Sequence, residues 1–203
     1  MVAHPDDETL WAGGTLLQHP AWQCRMLTLC RARDADRAPR FARVCSAYRA
    51  AGEMADLDDG PEQTPLDDRL VQQTVLDLLG NRHYDLLLTH GPLGEYTRHQ
   101  RHVEVSRAVA ALWQAGRIDV GALWLFAYTD DQRAGLPHAI DTAEVQMPLP
   151  EAVWEEKYHL IHDVYGFAAE SWEARTTPRR EAFWRFTAPA QLMHWHQSME
   201  VQQ

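Results

Sequence analysis

Apolar residues return along this chain in two alternating rhythms. Short unbroken runs, such as Arg25–Cys30, Tyr84–His90 and Ala122–Tyr128, have the length and bounds of strands buried on both faces. Between them apolar positions recur at three- and four-residue spacing. Thr9–Gln18, the series Phe41, Val44, Tyr48 and Ala51, Leu70–Leu79 and Val103–Trp113 are the helices this predicts. Gly52, Gly80 and Gly116 stand where three of those helices should stop. Met1–Ala3 reads as the tail of a first strand and Ala55–Leu57 as a brief third one, followed by the turn residues Asp58-Asp59-Gly60-Pro61. Arg31–Pro39 is charged and reads as a loop.

Strand and helix thus alternate four or five times, which implies a mostly parallel sheet with helices on both faces, a Rossmann-like three-layer α/β sandwich. The alternation stops near residue 130. Thr129–Thr142 is loop-like, Val145–Leu149 an outlying strand, and Pro150–Val164 a helix with proline at its start. The last forty residues, rich in Trp and Arg, match no template. The expectation is a single domain over 1–203, with a core at 1–130 and a variable C-terminal part at 131–203.

The chain has 203 residues, enough for one sizeable core. Its formal net charge of −10 argues against a nucleic-acid partner, whose phosphates need a basic face. No apolar run approaches the roughly 18 residues of a membrane span. The start carries no basic and apolar leader, so the protein reads as cytoplasmic. Cys24, Cys30 and Cys45 match no zinc-module spacing and read as structural thiols. The Trp- and Arg-rich tail is a candidate interface for a homo-oligomer.

In open α/β sheets ligands bind beyond the carboxyl ends of the strands. Two polar clusters fall there: His4-Pro5-Asp6-Asp7-Glu8 after the first strand, and Gly91 to His102 after the Tyr84–His90 strand. A catalytic zinc takes three nitrogen or oxygen ligands and keeps a place for water. His4 and Asp7 lie three apart across a strand-to-helix turn, where a tight bend aims both at one point. His99 and His102 are also three apart and share a helix face; one completes the metal shell while the other stays near the substrate. Asp6, beside a ligand but differently directed, suits a general base. Against this, Asp6, Asp7 and Glu8 are what any helix N-terminus favours. His159 and His162 repeat the three-residue spacing outside the alternating region and read as structural.

Ala3-His4-Pro5-Asp6-Asp7-Glu8 with Gly13-Gly14, and Gly94-Glu95-Tyr96 followed by His99-x-x-His102, resemble the two motifs of the PIG-L or LmbE-like zinc de-N-acetylases. The resemblance covers residues 1–130. It implies zinc held by His4, Asp7 and His102, with iron(II) or another divalent ion suiting the same donors. It implies Asp6 as general base and His99 as the group that stabilises the tetrahedral intermediate or protonates the leaving amine. The reaction it implies is removal of an N-acetyl group from an N-acetylglucosamine-type sugar or its small-molecule conjugate. The alternatives are a related amidase acting on a larger acyl group and a non-catalytic carbohydrate-binding module. Substrate contacts are expected from Arg31, Asp34, Arg37 and Arg40 after the second strand, and from Tyr96. The chain departs from the family in three places. Only three residues precede His4, so its first strand is cut short or begins upstream. Thr97 and Arg98 separate Tyr96 from His99. Arg43 stands where relatives carry an acid three residues after the arginine at position 40.

Overall fold

The computed structural model describes residues 1–97 and 99–200. Its strands are β1 (Arg25–Cys30), β2 (Ala51–Leu57), β3 (His83–Thr89), β4 (Asp119–Phe126), β5 (Tyr128–Thr129), β6 (His138–Ala139), β7 (Val145–Pro148) and β8 (Arg180–Phe186). Its helices are α1 (Asp7–Gln18), α2 (Arg37–Ala47), α3 (Asp68–Leu79), α4 (Gln100–Gln114), α5 (Glu151–His159), α6 (Trp172–Thr176) and α7 (Pro189–Glu200). A π-helical turn, Leu160–Val164, continues α5.

β1 and β2 pair in parallel, as do β3 and β4. Residues 1–3 lie between the two pairs. Val2 exchanges backbone hydrogen bonds with Leu27 and Leu29, and the Met1 amino group donates to the Leu88 carbonyl at 2.8 Å. Beyond β4 the direction reverses: β8 runs antiparallel to β4, and β7 antiparallel to β8. The sheet is therefore parallel through its first half and antiparallel at its far edge.

Side chains alternate across the sheet and separate two cores. Leu27, Leu29, Leu87, Leu123 and Leu125 point to one face, where Val71, Val75 and Leu79 of α3 and Val105, Val109 and Leu112 of α4 cover them. Met26, Phe126 and Phe183 point to the other, against Leu10 and Trp11 of α1, Phe41 and Val44 of α2, and Ile161 and Tyr165. Helices on both faces complete the three layers.

Three segments differ from the expectation. The helix begun at Arg37 stops at Ala47, and the chain turns through Arg49 at φ 55°. Ala51 and Gly52 are then strand residues, not the end of a helix. Gly52 serves packing instead: a Cβ there would meet the Cys45 sulfur at 2.6 Å. The charged stretch expected as a loop already turns helical at Arg37. The outlying strand 145–149 is tied to the main sheet by β8, which lay in the unassigned tail. Gly80, at φ 63°, does end α3.

A buried pair anchors α1 to this far edge. Glu181 accepts hydrogen bonds from the Gly14 and Thr15 amides at 2.7 Å, from the Thr15 hydroxyl at 2.6 Å, and from Lys157 Nζ at 2.7 Å. Both charged side chains are fully buried, so each depends on the other for its countercharge.

Candidate metal centre

His4 follows residues 1–3, which bridge the two strand pairs, and α1 begins three positions later. The turn between them runs through Asp6, whose φ is 114° with ψ −32°. That region strains any residue with a Cβ. Asp6 occupies the N-cap position of α1 without forming a side-chain cap hydrogen bond. Its carboxylate is not used as a helix cap and lies on the wall of a cavity.

The two motifs meet in space. Asp7 Oδ2 lies 3.2 Å from His4 Nδ1, and Asp7 Oδ1 lies 3.3 Å from His102 Nε2. His99 is the N-cap residue of α4 and His102 falls in its first turn. The His99 ring centroid stands 4.3 Å from that of His102 and 5.1 Å from that of His4. One donor atom each from His4, His99 and His102 lies within 4.8 Å of the others.

Two carboxylates orient these rings. Glu95 Oε2 accepts from His102 Nδ1 at 2.6 Å and from His90 Nδ1 at 2.8 Å, while Glu95 Oε1 accepts from the Gly91 amide. On its other side His102 turns a buried Nε2 toward Asp7 Oδ1 at 3.3 Å, with no well-formed hydrogen bond. That orphaned nitrogen is what a metal ligand looks like in the absence of its ion, and the carboxylate behind it is the usual outer support. Asp59 plays the same part for His4, accepting from Nε2 at 3.0 Å and leaving Nδ1 toward Asp7. His90 is also within reach of Asp7 and His102. Its Nε2, however, accepts the Ala3 amide at 2.9 Å, so its lone pair is already used. Cys30 lies near His4 and Asp59, but burial, and then Asp59, push its thiol up to about 12, a poor ligand. The donor groups brought together here are His4 with His99 and His102, and Asp7 with His90 and His102, and Asp7 lies within 3.3 Å of both His4 and His102.

The electrostatics differ sharply among neighbours. Burial raises Asp6, and adjacent Asp7 adds to the shift. Burial also opposes ionisation of Asp7, yet His102 and His90 outweigh it and hold that carboxyl well below its ordinary value. Burial, then the charges of His102 and His4, lowers His99 to about 3, so it is neutral at pH 7. The two adjacent acids are thus shifted in opposite directions, a separation typical of reaction centres.

The cavity has a volume of about 390 Å³; His4, Asp6, Asp7 and His99 line it together with Tyr96, Trp172, Arg31 and Arg37. The Tyr96 and Trp172 rings stand 4.4 Å apart. Of the expected substrate contacts, Arg31, Arg37 and Tyr96 line this space. Asp34 and Arg40 do not: Asp34 accepts the Asp36 and Arg37 amides, and Arg40 is bonded to Asp36 and the Tyr165 carbonyl. Sequence reasoning assigns no role to His90, Glu95 or Asp59; it counts Trp172 among five tryptophans suited to stacking on a sugar, and Trp172 does line the cavity. A histidine ending a buried strand just before Gly91-Pro92 was the available signal for His90. Asp59 was hidden in what reads as a plain turn.

No protein-family model matches the chain. An uncharacterised protein of Acanthamoeba polyphaga mimivirus is 24% identical over 121 residues; the chain spans about half the length of this curated relative, 53%. Among solved structures, N,N'-diacetylchitobiose deacetylase from Pyrococcus horikoshii is similar with a TM-score of 0.69 over 92% of this chain and 82% of that one, at 14% identity. The deacetylase Dbv21, which acts on the A40926 pseudoaglycone, reaches 0.61 over 92% and 96% at 12% identity. The chain has the fold of the LmbE-like deacetylases. That LmbE-like fold also carries GalB, the 4-carboxy-2-hydroxymuconate hydratase of Pseudomonas putida, similar here with a TM-score of 0.59 over 86% and 81% at 17% identity. The fold alone therefore does not fix the reaction, and the chemistry has to be argued from the site.

Proposed function

We propose that this chain is a zinc-dependent hydrolase that removes an N-acetyl group from an N-acetylglucosamine-type amino sugar or its conjugate. The observation that supports this is Asp7, which lies 3.2 Å from His4 Nδ1 and 3.3 Å from the buried His102 Nε2, with the strained, uncapped Asp6 beside it on a cavity that His4, Asp6 and Asp7 line. Zinc, when bound, supplies a water of lowered pKa and polarises the amide carbonyl. Asp6 takes the proton of the attacking water, and its raised pKa suits that exchange. His99 is neutral before reaction and carries a buried Nδ1 without a partner, placing it to stabilise charge on the former carbonyl oxygen, while the proton that Asp6 takes from the water is the one the leaving amine receives, from Asp6 directly or by way of His99. Tyr96 and Trp172 offer apolar faces to a sugar ring. A cavity of about 390 Å³ is near the small end of the roughly 300–1,000 Å³ typical of small-molecule sites, which favours an acetyl group over a long acyl chain.

Zinc content and acetate release from a panel of N-acetylglucosamine conjugates test the reading. The wild-type chain binds zinc and Asp7→Ala does not; Asp6→Asn keeps the metal and loses roughly 10²–10⁴-fold in turnover. Equal zinc in wild type and Asp7→Ala, or no acetate from any conjugate by the zinc-loaded protein, overturns it.

A further inference from the structure

Four arginines follow β1 within residues 31–40, and the structure disposes of three of them internally, Arg33 on Asp56. Arg31 spends its guanidinium on Asp59, at 2.7 and 2.9 Å, and on Asp34. Arg40 donates to Asp36 and to the Tyr165 carbonyl. Arg37 differs. Its side chain lines the cavity yet has no carboxylate, carbonyl or hydroxyl partner among the described residues. Its Nη1 is shut off from solvent and unbonded. The guanidinium is held instead over the Phe167 ring, 4.2 Å from the centroid. A cation over an aromatic face is kept in one plane while its hydrogen-bond donors remain unspent. The backbone of the same residue is not part of this arrangement, because Asp34 already accepts its amide.

A partly buried guanidinium without an acceptor is costly unless a ligand completes it, and planar oxyanions match its geometry. We propose that Arg37, seated on Phe167, is an anion subsite, and that the amino-sugar conjugate taken by this chain carries a phosphate or carboxylate group near the ring that faces the metal centre. This rests on the deacetylase reading. Arg37 is also close enough to Asp6 to act on its charge, so the test must separate recognition of substrate from support of the base.

Acetate release is compared for N-acetylglucosamine, its 1-phosphate, its 6-phosphate and N-acetylmuramic acid, with zinc-loaded wild type and Arg37→Gln. The arms distinguish phosphate from carboxylate. Charge-assisted hydrogen bonds correspond to roughly 10- to 100-fold in affinity, so at least one anionic substrate should exceed the neutral sugar by about tenfold or more in kcat/KM, chiefly through KM. Arg37→Gln should bring that ratio close to one. A wild-type ratio near one, or a preference that survives in Arg37→Gln, overturns the subsite. A loss in Arg37→Gln equal for neutral and anionic sugars also overturns it, assigning the arginine to Asp6 instead. If no substrate releases acetate, the deacetylase reading fails, and calorimetry with the same four sugars still decides the subsite. Tighter binding of an anionic sugar that is lost in Arg37→Gln supports it, and equal binding of all four refutes it.

Discussion

Asp6 stands at φ 114° and ψ −32°, and this backbone setting makes a prediction whose sign is opposite to the usual one. A residue held in such a region costs about 1–3 kcal/mol. Replacing alanine by glycine at an ordinary ordered position costs about 0.5–1 kcal/mol through chain entropy. At position 6 the strain relief outweighs that cost, so Asp6→Gly should be more stable than Asp6→Ala by about 0.5–2 kcal/mol. Both variants delete the carboxylate, and with it the unfavourable burial beside Asp7, so their difference isolates the backbone. In a chain of this size about 1 kcal/mol moves Tm by roughly 2–4 °C, which puts the glycine variant about 1–8 °C higher. Thermal unfolding of the two metal-free variants in one buffer measures it, and neither should release acetate at more than about a hundredth of the wild-type rate. If Asp6→Ala melts at the same temperature as Asp6→Gly or above it, the turn is not strained and the aiming of the base has another origin.

Further substitutions test the site's support and the anchor of α1. Glu95 is held at about 2: burial opposes ionisation, but His90 and His102 more than compensate. A carboxylate depressed in the folded state contributes stability that is present above its ordinary pKa near 4.5 and is lost as pH falls toward 2. Glu95→Gln should flatten that acid limb in metal-free protein followed by circular dichroism, and should weaken zinc binding about 10- to 100-fold in a chelator competition. An unchanged acid limb together with unchanged zinc affinity would refute the support role. Lys157→Met leaves Glu181 buried without its countercharge and should cost about 3 kcal/mol in urea unfolding. Adding Glu181→Gln should recover part of that loss, and a double variant no more stable than Lys157→Met would contradict the pairing.

What could be read from the chain beforehand follows a physical division. Elements whose burial is written in local periodicity were legible: β1 was bounded at both ends, and α3 was placed within two residues with its stop at Gly80. Position 51 misled because Ala51 continues a helical spacing by coincidence. The turn that ends α2 rests on Arg49 adopting φ 55°, which no composition rule announces. β8 was invisible because its place between β4 and β7 depends on pairing across the sheet rather than on its own residues. At the site, the short motifs brought His4, Asp6, Asp7, His99 and His102 into view. Asp59 and His90 act through tertiary contacts, 55 and 87 residues away from His4 and Ala3, and spacing carries no trace of that. Arg31, Arg37 and Arg40 look alike along the chain; only their partners in space tell them apart.

The reversal of direction at β4 has a consequence for how the molecule is made. Until Arg180–Phe186 has left the ribosome, the free edge of β4 offers its backbone groups to any passing strand, with Trp124 and Phe126 alongside. The grip of Glu181 on Gly14 and Thr15, across 167 and 166 residues, is likewise impossible before then. The nascent chain therefore carries a finished first motif on an unfinished sheet for most of its synthesis, a period in which shielding by a chaperone would have most to protect.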